Sequence, residues 1–165
     1  MIRIFFIFLL LFVGCSKNIY IHWNIEKESQ VYETNKTVAV KIELPDYMLS
    51  GNIAGVKGGK IILLDYKINE IPEDFFEKYT VEKLKNLTGF KVCSLWDTEN
   101  FNVLVDIKIL DYYVDFDKKE VVLKAEVFDK KFKRIINFKG DFLKAYQEAY
   151  DELLNFIAIK LKEKL

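Results

Sequence analysis

The sequence predicts an α+β domain, with a mixed or antiparallel sheet of about five to seven strands and two helices. Several segments alternate apolar and polar residues with a period of two, as strands do. Two longer segments repeat apolar residues at helical spacing. The last part of the chain is typical of a three-stranded meander followed by a long closing helix. The chain has 165 residues, which is enough for one domain with one hydrophobic core.

The first 14 residues have the anatomy of a secretory signal. Arg3 is the only charged residue before Lys17, and Ile4–Val13 is an unbroken apolar run. That run is too short to cross a bilayer, which takes about 20 residues, but it suits the core of an export signal. We therefore predict a signal over residues 1–14, a short tether over 15–18 and the domain over 19–165. A buried N-terminal strand with a chance cysteine is the alternative.

The end of this signal resembles a bacterial lipobox, Leu11-Phe12-Val13-Gly14-Cys15. The resemblance implies that diacylglycerol is joined to the Cys15 thiol and that the chain is cut just before it. Ser16 stands where an Asp often retains lipoproteins in the inner membrane, so the resemblance implies the periplasmic face of the outer membrane. Such anchoring is hydrophobic, since each buried methylene contributes about 0.8 kcal/mol.

The first strands follow soon after this cysteine. Alternation over Ile19–Ile25 predicts a strand that begins three residues after the anchor, and polar Lys27–Lys36 predicts a loop. Thr37–Leu49 contains the clearest strand, in which alternate apolar residues share one face: Val38, Val40, Ile42 and Leu44. Pro45 ends this strand because it has no N–H to donate, and Asp46 favours a turn.

The middle of the chain predicts a connection, a strand and a helix. Gly51–Gly59, with four glycines, predicts a flexible connection, and Lys60 is not followed by the Ser or Thr of a phosphate-binding loop. Ile61–Tyr66 begins with apolar residues on both faces and predicts an interior strand. Pro72 predicts the start of a helix that ends at Gly89.

The C-terminal half predicts a short strand over Phe90–Trp96 and then the meander. Odd-numbered residues form the apolar faces of its first two strands: Val103, Val105, Ile107 and Ile109, then Val121, Leu123, Ala125 and Val127. These faces coincide if the connecting loop has an odd number of residues, which predicts a three-residue loop at Asp117-Lys118-Lys119. The third strand has an even-numbered face, which predicts a two-residue loop at Lys130-Lys131.

Asp141 predicts the cap of a final helix that runs from Phe142 almost to Leu165. Its apolar stripe is wider than one face because of four further residues: Tyr150, Leu154, Ala158 and Leu161. Either the helix lies between the sheet and the first helix, or the extra face contacts another subunit.

The turn Pro45-Asp46-Tyr47-Met48-Leu49, 30 positions after Cys15, resembles the auxiliary lipoproteins of MCE (mammalian cell entry) lipid transporters, the paraquat-inducible lipoprotein family. The closing helix also matches, and Tyr66 stands where the family has an aromatic residue before its first helix. The resemblance implies a non-catalytic accessory subunit of an ABC-type transporter, anchored in the outer membrane. It would bind the MCE-domain protein, associate with its own copies, and need no cofactor beyond the lipid on Cys15. Pro45, Asp46 and Tyr47 are the candidate partner contact; a plain structural turn is the alternative.

Composition and chemistry favour binding over catalysis. The 25 basic and 25 acidic residues balance, which argues against a nucleic-acid surface. His22 is the only histidine, and with Cys93 alone it offers no metal-ligand spacing. The acidic residues near Asp106, Asp111, Asp115 and Asp117 suit solvated strand faces and a turn. Two other functions stay open: an assembly lipoprotein of another envelope machine, for lipopolysaccharide insertion or secretion, and a secreted hydrolase that depends on His22.

Overall fold

The computed structural model of the protein describes residues 19–24 and 35–165. They form eight strands and two helices, apart from two single 3-10 turns. In chain order the elements are β1 (Ile19–Tyr20), β2 (Thr37–Glu43), β3 (Asn52–Lys57), β4 (Lys60–Lys67), α1 (Pro72–Thr88), β5 (Lys91–Ser94), β6 (Val103–Asp115), β7 (Glu120–Val127), β8 (Lys130–Asn137) and α2 (Phe142–Lys164). The predicted α+β class is confirmed. The predicted signal, Cys15, Ile25 and most of the loop over Lys27–Lys36 lie outside the described residues.

All eight strands belong to one mixed sheet, which divides at β6. One edge of β6 pairs with β7 in antiparallel fashion. The other edge pairs in parallel first with β2, over residues 103–108, and then with β3, over residues 113–115. β5 extends the sheet beyond β2, whereas β4 and the short β1 extend it beyond β3.

Both helices cover the same face of this sheet. α1 packs on β2 and β5, α2 packs on β6, β7 and β8, and the helices contact each other. Pro72 stands in the first turn of α1, and Gly89 ends it with a φ of 72°, as predicted. The Asp141 carboxylate caps α2 by accepting a hydrogen bond from the Leu143 N–H at 2.8 Å. The helices position a single continuous core against the sheet.

The wide apolar stripe of α2 is explained within the chain. Its four extra residues are all buried: Tyr150, Leu154, Ala158 and Leu161. Tyr150 contacts α1, because its hydroxyl and that of Thr80 lie 2.8 Å apart. The predicted position of α2 between the sheet and α1 is wrong, because α1 packs directly on β2 and β5 and the two helices lie side by side. The extra face is nevertheless covered within the chain, by the sheet and by α1, so this stripe is not a free surface for another subunit.

The loop predicted at Asp117-Lys118-Lys119 is wrong by one residue. Asp115 pairs with Glu120, so the connection is the four-residue segment 116–119. The loop has an even number of residues because β6 contains a bulge between Ile109 and Asp111, which moves its core face from odd to even numbers. Tyr112 and Val114 therefore face the core beside the turn.

The second meander loop has the predicted even length but another position. Phe128 and Asp129 form the two-residue turn, and Lys130 and Lys131 belong to β8. Both turn residues have positive φ, 54° and 58°. That geometry matches the twist of a two-residue hairpin, so the chain turns before the lysines.

Three predictions in the first half need correction. The glycine-rich connection contains a strand, β3, which forms a hairpin with β4 through Gly58 and Gly59. The segment Ile61–Tyr66 is not an interior strand, because β4 lies near the edge of the sheet and is largely exposed. The predicted strand over Ile19–Ile25 is reduced to Ile19–Tyr20. Apolar composition alone did not distinguish a central strand from one near the edge.

Candidate interaction surface

The turn after β2 is held in place by Tyr47. Pro45 and Asp46 lead into a short 3-10 turn, Asp46–Met48, whose last residue is buried. The Tyr47 hydroxyl accepts a hydrogen bond of 2.7 Å from the Tyr112 N–H. That N–H lies next to the β6 bulge, where the ladder with β2 has ended and the ladder with β3 has not begun. Tyr47 therefore replaces a missing ladder partner.

This contact gives the three predicted turn residues different roles. Burial raises the pKa of Tyr47 to about 12, so its hydroxyl is protonated at neutral pH and holds the turn against the sheet. Asp46 is exposed and Pro45 is half-buried. Of the candidate partner contact, Asp46 is thus the side chain that solvent reaches most freely, and Tyr47 is committed to the fold.

Beside this turn lies an apolar cavity on the helix-free face of the sheet. Its volume is about 210 Å³, and its lining residues come from the turn and three strands: Tyr47, Ala54, Val56, Ile61, Asp111 and Tyr113. Asp111 is engaged elsewhere, because its carboxylate accepts a hydrogen bond of 2.6 Å from the Lys124 ammonium group. The cavity therefore offers mainly apolar contacts.

Ile61 connects this cavity to an exposed apolar strand. Along β4 the exposed fraction is 72% for Ile61, 36% for Ile62 and 54% for Leu63. Among the described strands, only β1 pairs with the outer edge of β4, and it does so at Tyr66 and Lys67 alone. Both residues of β1, Ile19 and Tyr20, are exposed as well. We call residues 61–63 with Ile19 and Tyr20 the apolar edge.

Lysines surround the start of β4. Lys57 and Lys60 flank the glycine turn of the β3–β4 hairpin and are exposed. This hairpin touches the turn between β6 and β7, because the Phe116 N–H donates to the Val56 carbonyl at 3.0 Å. That second turn contributes exposed Lys118 and Lys119. We call Lys57, Lys60, Lys118 and Lys119 the lysine tip.

The lysine tip also contains carboxylates. Asp115 is buried, and its carboxylate accepts hydrogen bonds from the N–H groups of Asp117 and Lys118. The Lys118 ammonium lies 3.5 Å from it. The exposed Asp117 is 3.4 Å from the Gly59 N–H. These contacts hold the two turns together and leave four lysine side chains exposed around them.

His22 and Cys93 lie apart from this surface. His22 is exposed and lines an open groove of about 430 Å³ between residues 21–24 and α1. Cys93 is half-buried, and its thiol donates to the Val38 carbonyl at 3.7 Å. Within residues 19–24 and 35–165, no three potential ligands are grouped so as to hold a metal ion. The structure thus brings His22 and Cys93 to different elements.

Tyrosines form a polar network inside the core, between the helices. The Tyr79 hydroxyl donates to the Asp151 carboxylate at 2.7 Å and accepts from the Gln147 amide at 3.0 Å. The Tyr112 hydroxyl donates to the Tyr146 carbonyl in the same region. Burial raises the pKa of Tyr112 and Tyr146 well above the ordinary tyrosine value. The Tyr112 hydroxyl is enclosed in the core, whereas Tyr79 also lines the groove beside His22.

The apolar edge is the feature that sequence reasoning missed. The run Ile61–Leu64 was visible, but an apolar run fits either a central strand or an exposed contact surface. The signal that would have separated them is its position, directly after Gly58-Gly59, because a two-residue glycine turn indicates a hairpin.

In the part of the chain that the structure describes, no helix is long and apolar enough to span a membrane.

Comparison with known proteins shows similarity of fold only. No family model matches the chain, and no curated protein matches its sequence. An uncharacterized protein of known structure aligns with a TM-score of 0.63 and 13% identity, over 88% of this chain and 99% of its own. A protein from Xanthomonas campestris, of the DUF330 family, aligns with a TM-score of 0.58 and 11% identity, over 87% of this chain and 90% of its own.

Proposed function

We propose that this chain is an accessory subunit of an ABC-type MCE lipid transporter, anchored by lipid on Cys15 to the periplasmic face of the bacterial outer membrane. In this role it binds the MCE-domain protein that forms the lipid conduit. It is non-catalytic and needs no cofactor beyond the covalent lipid. ATP is hydrolysed by another subunit of the transporter.

The observation that carries the proposal is the position of β1. The first described strand begins at Ile19, which pairs with Tyr66 of β4. The three residues between Cys15 and Ile19 span at most about 10–11 Å when extended. A lipid on Cys15 would therefore keep the β4 side of the sheet next to the bilayer, as suits a subunit that docks another protein onto a membrane.

The resemblance in sequence supports the same role. The lipobox, the Pro45-Asp46-Tyr47 turn and the closing helix occur in the order of the MCE auxiliary lipoproteins. The turn is rigidly positioned by the Tyr47 hydroxyl, with Asp46 exposed. A rigid turn with an exposed carboxylate suits a protein contact, because little conformational entropy is lost when it binds.

An affinity pull-down from membranes tests the proposal. We expect the full acylated chain to recover an MCE-domain protein, and Asp46→Lys to recover less of it than Glu148→Lys, which changes charge at an exposed position of α2. Recovery of a β-barrel or secretin protein instead would favour an assembly lipoprotein. Recovery of no MCE-domain protein under conditions that preserve such complexes would overturn the proposal.

The anchor is tested separately by labelling with radioactive palmitate. We expect Cys15 to be labelled and Cys15→Ala to be unlabelled and released from the membrane. An unlabelled protein, together with a Cys15→Ala variant that is exported and works normally, would contradict anchoring.

A further inference from the structure

We infer that the apolar edge and the lysine tip together form a membrane-contact surface, which lies against an anionic bilayer at the level of the lipid headgroups. The inference deepens the proposed function, since it rests on the lipid anchor for the orientation of the domain. It assigns a role to Ile61, Ile62 and Leu63, which the fold does not bury.

The exposed side chains of β4 point to both faces of the sheet. Ile61 and Leu63 lie on the helix-free face, where Ile61 lines the cavity. Ile62 lies on the helix side, 3.3 Å from the position of a Cβ built on Gly55. A protein that packed on one face of the sheet would cover either Ile61 and Leu63 or Ile62, but not all three. A lipid interface surrounds an edge from both sides, and therefore buries all three residues.

The charge around the edge suits an anionic surface. The four lysines of the lysine tip are exposed beside the start of β4, whereas buried Asp115 is engaged by two backbone N–H groups and by Lys118. Juxtamembrane lysines attract anionic lipid headgroups, and long lysine side chains keep their charge in water while their stems lie along apolar surface. An apolar strand with lysines at its end matches such an interface in both respects.

The direction of β1 suits a surface that faces the same bilayer as the anchor. β1 runs parallel to β4, with Ile19 opposite Tyr66. The N-terminal end of β1 therefore faces the same way as the N-terminal end of β4, where Lys60 and the lysine tip lie. An anchor a few residues before Ile19 brings the apolar edge towards the same bilayer.

The backbone sets the depth of this contact. The outer edge of β4 from Lys60 to Asp65 pairs with no other described strand. Unpaired N–H and C=O groups cannot enter the hydrocarbon without large cost. The strand therefore lies in the hydrated headgroup region and only its apolar side chains reach towards the acyl chains.

Site-specific fluorescence tests the inference. The mature acylated protein, with Cys93→Ser, carries an environment-sensitive label at Leu63→Cys or, as the matched control, at Ile135→Cys on β8, which is also exposed. The protein is reconstituted in vesicles of phosphatidylethanolamine and phosphatidylglycerol with brominated acyl chains. We expect a blue shift and quenching for the label at 63 and neither for the label at 135. Equal signals at the two positions would overturn the inference.

Two further measurements separate the bilayer from other occupants. Replacing phosphatidylglycerol by phosphatidylcholine, or raising the salt concentration, should weaken quenching at position 63, because the lysines then lose their attraction. A blue shift at 63 that appears without vesicles and grows with protein concentration would instead assign the edge to a second copy. Loss of quenching with recovery of an MCE-domain protein in the pull-down would reject this inference and leave the proposed function standing.

Discussion

β2 and β4 are both rich in branched apolar residues, but the sheet treats them differently. β2 is central, with parallel neighbours β5 and β6 on its two edges. Its residues Val38, Ala39 and Val40 are completely buried. β4 lies between β3 and the two residues of β1, and Ile61 at its start is 72% exposed. Helix α1 covers β2, whereas the start of β4 is left uncovered.

This difference in burial shows which apolar residues stabilise the fold and which remain free for another contact. An apolar side chain stabilises a fold roughly in proportion to the area that it removes from water. The residues around β2 supply that buried area, whereas most of the apolar area of Ile61 and Leu63 stays exposed to water. An apolar strand that the fold does not use is available for another surface, which is the basis of our inference about the membrane.

The largest contrast is expected between two isoleucines. Ile107 of β6 pairs with Ile42 of β2 and is fully buried. Ile107→Ala should reduce the free energy of unfolding by about 2–5 kcal/mol, because it removes buried area and leaves a cavity. Ile61→Ala should change it by less than about 0.5 kcal/mol, as is usual for surface positions. Urea unfolding of both variants measures this, and similar losses would refute the contrast.

Gly55 tests how the hairpin is attached to the core. A Cβ at this position would lie 2.9 Å from Cε2 of Phe116, whose ring packs edge-on against Phe142 of α2. Gly55→Ala should destabilise the protein by about 1–3 kcal/mol, the usual cost of overpacking. In urea unfolding, Phe116→Leu combined with Gly55→Ala should cost less than the sum of the two single changes. Strict additivity would show that the ring is not the cause.

Tyr47 tests the polar support of the divided sheet. Tyr47→Phe removes the acceptor of the Tyr112 N–H and should cost about 1–3 kcal/mol, because the donor is left without its partner. Tyr20→Phe, at an exposed residue of β1, is the matched control and should change little. Chemical denaturation compares the two, and a neutral Tyr47→Phe would mean that water replaces the hydroxyl.

The same residue predicts a loss of stability in alkali. The pKa of Tyr47 is raised from 10.0 to about 12 in the folded protein, so the folded state favours the protonated form. Its contribution is complete below pH 10 and is lost as the pH rises towards 12. Denaturation at increasing pH should show a smaller decline in Tyr47→Phe than in the parent. An equal decline would assign the effect to the other buried tyrosines.

The smallest effect is expected from the ion pair at the cavity. Asp111 and Lys124 are both partly exposed, so Asp111→Asn should reduce stability by less than about 1 kcal/mol. The loss should shrink further in high salt, which thermal unfolding at two salt concentrations measures. A larger, salt-independent loss would mean that the helix-free face contributes to stability more than its exposure indicates.

Much of the fold was predictable because local patterns carry it. Helix α1 lies between a first-turn proline and Gly89, and α2 begins at the Asp141 cap, as the sequence indicates. The bulge in β6 was not predictable from its local pattern, and the Tyr112 N–H beside it finds its acceptor, Tyr47, in a distant part of the chain. The place of β4 near the edge depends on the order of all the strands, although Gly58-Gly59 indicates locally that it forms a hairpin.

For the candidate site, the sequence indicated a turn but not the contacts that its residues make. The sequence drew attention to Pro45, Asp46 and Tyr47, and the structure assigns Tyr47 to the support of its own sheet. Cys15 lies outside the described residues, so its acylation stays a prediction. Lys118 and Lys119 were predicted in a loop of the meander, and the contact between two hairpins brings them near Lys57 and Lys60.

The parallel pairing of β2 has a consequence for synthesis. Both of its partners, β5 and β6, come much later in the chain than β2 itself. A growing polypeptide that has reached Gly89 has already made β2 but neither of the strands beside it. Its apolar, β-branched segment is then open to pairing between nascent chains, a recognised route to aggregation. We expect truncated or slowly elongating chains to depend on chaperones, although the finished domain is well packed.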